Sequence, residues 1–300
     1  MARISVSQFV RSPYLLLTFA VLFWSGNFIL GRAVRTEVPP VGLAFWRWAV
    51  AALLVLGPAL PWLKRDWRTI QQNRPIILLL SALGVTIFNT LVYAGLQHTI
   101  ALNAFLMQAL MPVMIVAMSF ILFRDRVVTL QTFGFAFALA GAVTIIIQGD
   151  PQKLRTLVFN PGDILIFTAV VAYAGYSVLL RKRPPIHPLS FVAITFVAGA
   201  LMLLPFYIWE TIHLRAVRWD GVTIATIVYV AVFPSIVSFL CFNRGVELIG
   251  ANRAGFFLYL MPLFGGFMAL VFLGEELEWF HGAGMALIVT GIFLAVRGRR

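Results

Sequence analysis

Ser81–Ala142 reads SALGVTIFNTLVYAGLQHTIALNAFLMQALMPVMIVAMSFILFRDRVVTLQTFGFAFALAGA, and its punctuation returns in Ala231–Ile292 at a constant offset of 150 residues. Gly84, Gly95, Pro112, Gly134 and Gly141 correspond to Pro234, Gly245, Pro262, Gly284 and Gly291. Ala101, Ala104, Leu110 and Met111 recur as Ala251, Ala254, Leu260 and Met261, with no insertion between the copies. Residues that bend or thin a helix thus fall at matching depths, which marks an internal duplication.

Composition tells what is duplicated. With 61% hydrophobic and 11% charged residues, the chain has too little polar surface to coat a soluble globule of 300 residues. A lipid bilayer is the expected surrounding. The single cysteine, Cys241, excludes an intrachain disulfide and any cysteine metal cluster.

Apolar segments of about 20 residues, each able to cross a core of about 30 Å as a helix, recur along the whole chain. Ten spans are predicted, near 13–32, 42–62, 75–97, 100–123, 129–148, 161–180, 189–209, 221–243, 251–273 and 279–297. The first continues past signal-peptide length and lacks a small-x-small cleavage site, so it reads as a retained helix. Gln97 to Ile100, Arg124 to Val128 and Leu248 to Ala251 form tight connections. The division read from this is a first repeat 1–148, a connecting outer loop 149–160 and a second repeat 161–300.

The net charge of +12 would point to nucleic acid in a soluble protein, but here it serves as a topology signal. With a cytoplasmic N-terminus, sixteen Lys and Arg residues fall on the inner side, against Arg32, Arg35, Lys153, Arg155, Arg215 and Arg218 outside. The bias places both termini in the cytoplasm, and no nucleic-acid partner is implied. Five helices per half is an odd number, so the second half must lie upside-down relative to the first. The fold class is therefore an all-α membrane protein, ten transmembrane helices as two inverted five-helix repeats. Transporters use such a pseudo-two-fold to alternate two openings around a midplane site.

The pattern Gly95, Ala101, Ala104, Leu110-Met111-Pro112, Asp125, Gly134, Gly141, repeated as Gly245, Ala251, Ala254, Leu260-Met261-Pro262, Glu275, Gly284, Gly291, resembles the drug/metabolite transporter superfamily. The resemblance is to its ten-helix branch with paired EamA domains. Trp24-Ser25-Gly26-Asn27 and Phe45-Trp46-Arg47 fit that family too, and Asp125 stands where it usually has Glu. Within the family the chain is most similar to aromatic amino-acid exporters of bacterial inner membranes. The resemblance implies multi-pass inner-membrane localisation and export of a small-molecule solute such as an amino acid.

Polar side chains inside hydrocarbon are costly unless they face the bundle interior or a water-filled cavity. Trp24 and Asn27 on helix 1, Asn89 and Tyr93 on helix 3, Gln108 on helix 4, Tyr173 and Tyr176 on helix 6, Ser238 on helix 8 and Tyr259 on helix 9 are the candidate solute-binding residues. Aromatic walls with a few amides and hydroxyls suit a small amphipathic zwitterion. The competing reading makes such residues interhelical glue or backbone caps, and it is the stronger one for Ser177, Ser235 and Ser238. Gly84, Pro112, Pro234 and Pro262 are candidate hinges, with tolerated kinks as the alternative. Arg47, flanked by Trp46 and Trp48, is expected to snorkel outward to Glu37 or a helix end, the alternative being that it attracts a solute carboxylate at the outer mouth.

No HExxH, GxSxG or P-loop occurs, and all four histidines lie at or beyond span ends, so no catalytic residue, metal or cofactor is expected. All eleven acidic residues fall at loops or span ends, which points to facilitated export by alternating access. A multidrug or other metabolite transporter of the same superfamily is the nearest alternative. A non-transporting scaffold or receptor is the alternative from a different class.

Overall fold

The structure, a computed structural model, describes residues 12–99, 104, 107–125, 128–155, 160–273 and 278–297. Ala101 and Glu275, both named above, lie outside the described residues, as do Arg126, Glu276 and the charged termini. The first half contains α1 (Pro13–Ala33), α2 (Pro40–Gln72), α3 (Arg74–His98), α4 (Met107–Phe123) and α5 (Thr129–Ile146). The second contains α6 (Pro161–Lys182), α7 (Pro188–His213), α8 (Gly221–Ile249), α9 (251–273) and α10 (Trp279–Arg297). Among the described residues, seven of these helices are long and apolar enough to cross a membrane, and α4 and α10 add shorter apolar ones. Leu53, Ile121, Ile164, Leu201 and Val222 stand exposed on the outer faces, apolar surface that only lipid covers without cost.

Helix α2 runs 33 residues, ~50 Å at 1.5 Å per residue, well beyond the expected span of 42–62. Lys64, Arg65, Asp66 and Arg68 read as a loop because they are charged. They form instead the end of a helix that leaves the bilayer without unwinding.

The packing has the symmetry that inversion demands. Helix α5 lies on its counterpart α10, and α2 on its counterpart α7. The α3–α6 contact is matched by α8–α1, and the α4–α6 contact by α9–α1. At the α5–α10 crossing, a Cβ on Gly134 would stand 2.7 Å from the Gly291 carbonyl oxygen, and one on Gly141 2.6 Å from that of Gly284. Since Gly134 corresponds to Gly284 and Gly141 to Gly291, each glycine meets its partner's counterpart, as an antiparallel two-fold pair must. Bare backbones at these two points let the helices approach as small-residue membrane crossings do.

Helices α2 and α7 clasp each other by their ends. Glu210, near the end of α7, accepts from the backbone N–H groups of Val41 (3.1 Å) and Gly42 (2.7 Å) at the start of α2. Asp66, near the end of α2, accepts from the His187 N–H (2.8 Å) at the start of α7. A helix N-terminus presents amides with no intrahelical acceptor and a partial positive charge, so a carboxylate there satisfies both.

Candidate functional site

Two helices depart from α geometry at matching places. In α3 a π turn occupies Ala82–Ile87, and in α8 one occupies Ala231–Val237. Pro234 has no N–H to continue the ladder, and the hydroxyls of Ser235 and Ser238 donate to carbonyls five residues back, on Val230 and Phe233. Gly84 has no side chain because the Tyr176 ring fills its place, 2.5 Å from where a Cβ would stand. Helices α4 and α9 also break at equivalent points. Leu110 is a non-helical turn before Met111-Pro112, and Phe257–Tyr259 forms a 3-10 turn before Leu260-Met261-Pro262. The four candidate hinges thus sit at or beside four irregular turns. Such turns concentrate where helices change shape.

Those turns surround a cavity of about 20 Å³ at the centre of the bundle. Trp24, Asn27 and Phe28 of α1 line it, with Arg47 of α2 and Phe88 and Asn89 of α3. Gln108 and Met111 of α4, Tyr173 of α6, Phe239 of α8 and Leu258 and Met261 of α9 complete the wall. Trp24 is fixed by its indole N–H on the Pro234 carbonyl (2.9 Å), and it meets Tyr173 edge-on at 5.6 Å between centroids. Of the nine candidate binding residues, Trp24, Asn27, Asn89, Gln108 and Tyr173 line this cavity.

Arg47 does not snorkel. It is 1% exposed, and its side chain turns into the bundle instead of toward Glu37, which lies 4.0 Å from Arg218. Its Nε donates to the Ser235 hydroxyl (2.6 Å). Its Nη1 reaches the Asn27 Oδ1 (3.0 Å), the Asn89 Oδ1 (2.8 Å) and the Tyr93 hydroxyl (2.9 Å). The physical reason is that α1, α3 and α8 deliver four neutral oxygens to one point within its reach. Tyr93 stands behind the wall and donates in turn to Asn27 Oδ1 at 2.7 Å.

Tyr176 lies one turn along α6 from Tyr173 and donates to the Asn243 Oδ1 at 2.8 Å. Ser177 and Asn243, each about a turn beyond cavity residues of the same helices, line a separate vestibule of about 450 Å³ with Arg181, Arg183 and Glu247. The Tyr176–Asn243 bond therefore separates vestibule from cavity. At an offset of 149, Asn27 corresponds to Tyr176, and at 150, Tyr93 corresponds to Asn243. The same Tyr–Asn bond thus occurs once in each half, with its two residues exchanged. Because α3 and α6 run antiparallel, with Gly95 against Gly162, the two bonds lie on opposite sides of the cavity.

Besides Tyr93 and Tyr176, two further candidates fall outside the lining. The Ser238 hydroxyl donates to the Ala20 carbonyl (3.1 Å) and ties α8 to α1. Tyr259 is fully buried, and its hydroxyl meets no partner among the described residues. Ser177 bonds its own helix at Tyr173, as the structural reading expects, whereas Ser235 takes the Arg47 Nε. Sequence reasoning passed over Phe239 and Asn243, although they occupy the positions of Asn89 and Tyr93 in the second repeat.

The buried carboxylates are all committed elsewhere. Asp163 completes a capping box with Asn160 at the start of α6 and accepts from Thr99, while Glu210 and Asp66 hold the α2–α7 clasp. Among the described residues, no acidic one lines the cavity.

Comparison with known proteins agrees with this architecture. A solved crystal structure with 20% sequence identity superposes at a TM-score of 0.77, over 95% of this chain and 96% of that one, which shows a shared fold. The uncharacterized transporter YyaM of Bacillus subtilis (strain 168) is 27% identical over 94% of this chain and 92% of its own length. A probable terminal-alkyne amino-acid exporter of Streptantibioticus cattleyicolor is also 27% identical, over 95% and 94%. The profile of the EamA-like transporter family matches twice, at residues 11–147 and 160–297, once for each half of the inverted duplication. The chain belongs to the EamA-like transporter family and is a multi-pass membrane transporter, not an enzyme.

Proposed function

We propose that this protein exports small amino acids with aromatic or other apolar side chains across a bacterial-type inner membrane, by alternating access and without an energy source of its own. The observation that carries the reading is the central cavity, walled by Trp24, Phe88, Tyr173 and Phe239 and edged by Asn27, Asn89 and Gln108. Rings supply apolar surface for a side chain, and amides supply hydrogen bonds for its polar end. The relative described as a probable terminal-alkyne amino-acid exporter supports the substrate class.

At about 20 Å³ the cavity has room for roughly one water, so a solute enters only when helices part. The two Tyr–Asn bonds are where parting would begin. Breaking Tyr176–Asn243 joins the cavity to the vestibule, and breaking Asn27–Tyr93 opens the opposite side. The repeats 1–148 and 161–300, linked by 149–160, would exchange these roles by bending at Gly84, Pro112, Pro234 and Pro262. Arg181, Arg183 and Arg244 lie around the vestibule end, which, with the positive-inside bias, supports a cytoplasmic vestibule and cytoplasmic termini.

The test is counterflow in proteoliposomes. Vesicles preloaded with unlabelled phenylalanine should accumulate labelled phenylalanine transiently, and vesicles preloaded with buffer should not. Trp24→Ala, Tyr93→Ala and Tyr173→Ala should each lower the exchange while inserting normally. The absence of counterflow across a panel of aromatic and aliphatic amino acids would sink the substrate class. Exchange of unrelated cations or nucleotides instead would favour a multidrug or metabolite carrier.

A further inference from the structure

We infer that Arg47 is the receptor for a single carboxylate on the transported solute, and that the cavity selects for a monoanionic headgroup. The inference rests on the proposed reading for its substrate class, but the anion site itself follows from the geometry. Removing a guanidinium from water costs several kcal/mol, which proteins normally offset with a carboxylate. Here no described carboxylate pairs with Arg47. Glu210 is held by the α2 amides, and Glu37 lies beside Arg218.

The guanidinium is also under-used. One nitrogen, Nη1, is shared among three acceptors and Nε is given to Ser235, while Nη2 donates to none of the described residues. Around the same cavity, Asn89 Nδ2, Gln108 Nε2 and the Tyr173 hydroxyl are buried without a hydrogen-bond partner among the described residues. Three of these four groups can only donate, and the fourth donates readily. A buried polar group without a partner is costly, so a wall of unmet donors is complementary to an acceptor-only group. A carboxylate has two oxygens with about four lone-pair sites and one negative charge, and it meets a guanidinium in the strongest hydrogen-bond geometry available to it. An ammonium on the same solute finds no carboxylate in the lining, but it finds the rings of Trp24, Tyr173 and Phe88, which attract cations through their faces.

The experiment compares phenylalanine, phenethylamine (no carboxylate) and 3-phenylpropionate (no ammonium) as ligands of the purified full-length protein by calorimetry. Phenylalanine and 3-phenylpropionate should bind and phenethylamine should bind at least tenfold more weakly. Arg47→Lys should weaken the two acids tenfold or more, and Arg47→Gln should abolish their binding. Should Arg47→Gln fail to fold, Asn89→Asp answers the same question, since it sets a carboxylate against Nη1. It should keep or raise the melting temperature while weakening both acids at least tenfold, an outcome a merely structural arginine would not produce. Equal binding of phenethylamine and phenylalanine, or unchanged acid affinity in a folded Asn89→Asp variant, overturns the inference. Arg47-dependent binding of 3-phenylpropionate without amino-acid counterflow would leave the anion site standing and remove the amino-acid reading. Counterflow that survives Arg47→Gln unchanged would do the reverse.

Discussion

Deleting the Tyr176 hydroxyl tests the two-gate arrangement most directly. In Tyr176→Phe the 2.8 Å bond to Asn243 Oδ1 is lost, while the ring that fills the space at Gly84 stays. Asn243 already lines the vestibule, so water can take the vacated acceptor, and only the net worth of one neutral hydrogen bond is removed. That worth is about 0.5–1.5 kcal/mol. At 1.4 kcal/mol per factor of ten, the closed state should lose to the vestibule-open state by about 2- to 12-fold. The readout is the rate at which a membrane-impermeant thiol reagent labels Met111→Cys, a cavity position, in a Cys241→Ala background. Vesicles of either sidedness should be used. The rate should rise by that factor only where the vestibule face meets the reagent. Equal rates in the two backgrounds, or an increase from the opposite face, would refute the reasoning that this bond closes the vestibule side.

Four other outcomes follow from the packing and the charges. Gly141→Leu, whose Cβ would stand 2.6 Å from the Gly284 carbonyl, should cost about 1–3 kcal/mol and lower the melting temperature in detergent. Glu210→Ala, which strips the acceptor from the Val41 and Gly42 amides, should cost about 0.5–2 kcal/mol, measured as a lower melting temperature. The Arg181 guanidinium, with help from Ser119, holds the Asp125 carboxyl below its usual range. Its stabilisation is therefore complete above about pH 4 and lost as pH falls through the lowered value. For so exposed a pair it should amount to under ~1 kcal/mol, and Asp125→Asn should flatten that part of the pH profile of melting. With every described buried carboxylate committed to a helix end, counterflow should proceed at equal pH on both sides. A pH gradient that drove accumulation, and that Asp163→Asn abolished, would show a coupled carrier instead.

The fold was legible because its signal is repeated. Gly134, Gly141, Gly284 and Gly291 had to match at a fixed offset if two equivalent helices were to cross on bare backbone, and they do. The extent of α2 was not legible, since charge in the 64–68 segment marks the edge of the bilayer and not the end of a helix. The cavity was partly legible. Trp24, Asn27, Asn89, Gln108 and Tyr173 stood out as polar or amphipathic groups too deep for the lipid face. Arg47 was misread because its depth on one helix is local information, whereas its partners are 20, 42, 46 and 188 residues away. Only the assembled bundle shows that inward is the shorter route to hydrogen bonds.

If the protein alternates as proposed, duplication accounts for the alternation, and the departures from it account for selectivity. Both halves keep a Tyr–Asn bond, a π turn and a broken helix at matching positions, so opening either side engages similar elements. The cation is not kept. Counted from Pro40 and Pro188, Arg47 corresponds to Thr195, whose hydroxyl only bonds the Phe191 and Val192 carbonyls of its own helix. Asn89 likewise corresponds to Phe239, and Ser235 to Val85. One side of the cavity is therefore charged and rich in amides, while the vestibule side is aromatic. On the proposed reading, a zwitterion entering from the vestibule would reach Arg47 carboxylate first, with its apolar side chain among Phe239 and Tyr173, and would depart on the far side led by the carboxylate. A symmetric pair of arginines would instead hold an anion equally from either side and gain nothing from the aromatic half. The loss of symmetry at these three positions would give a symmetric frame a preferred orientation for its cargo.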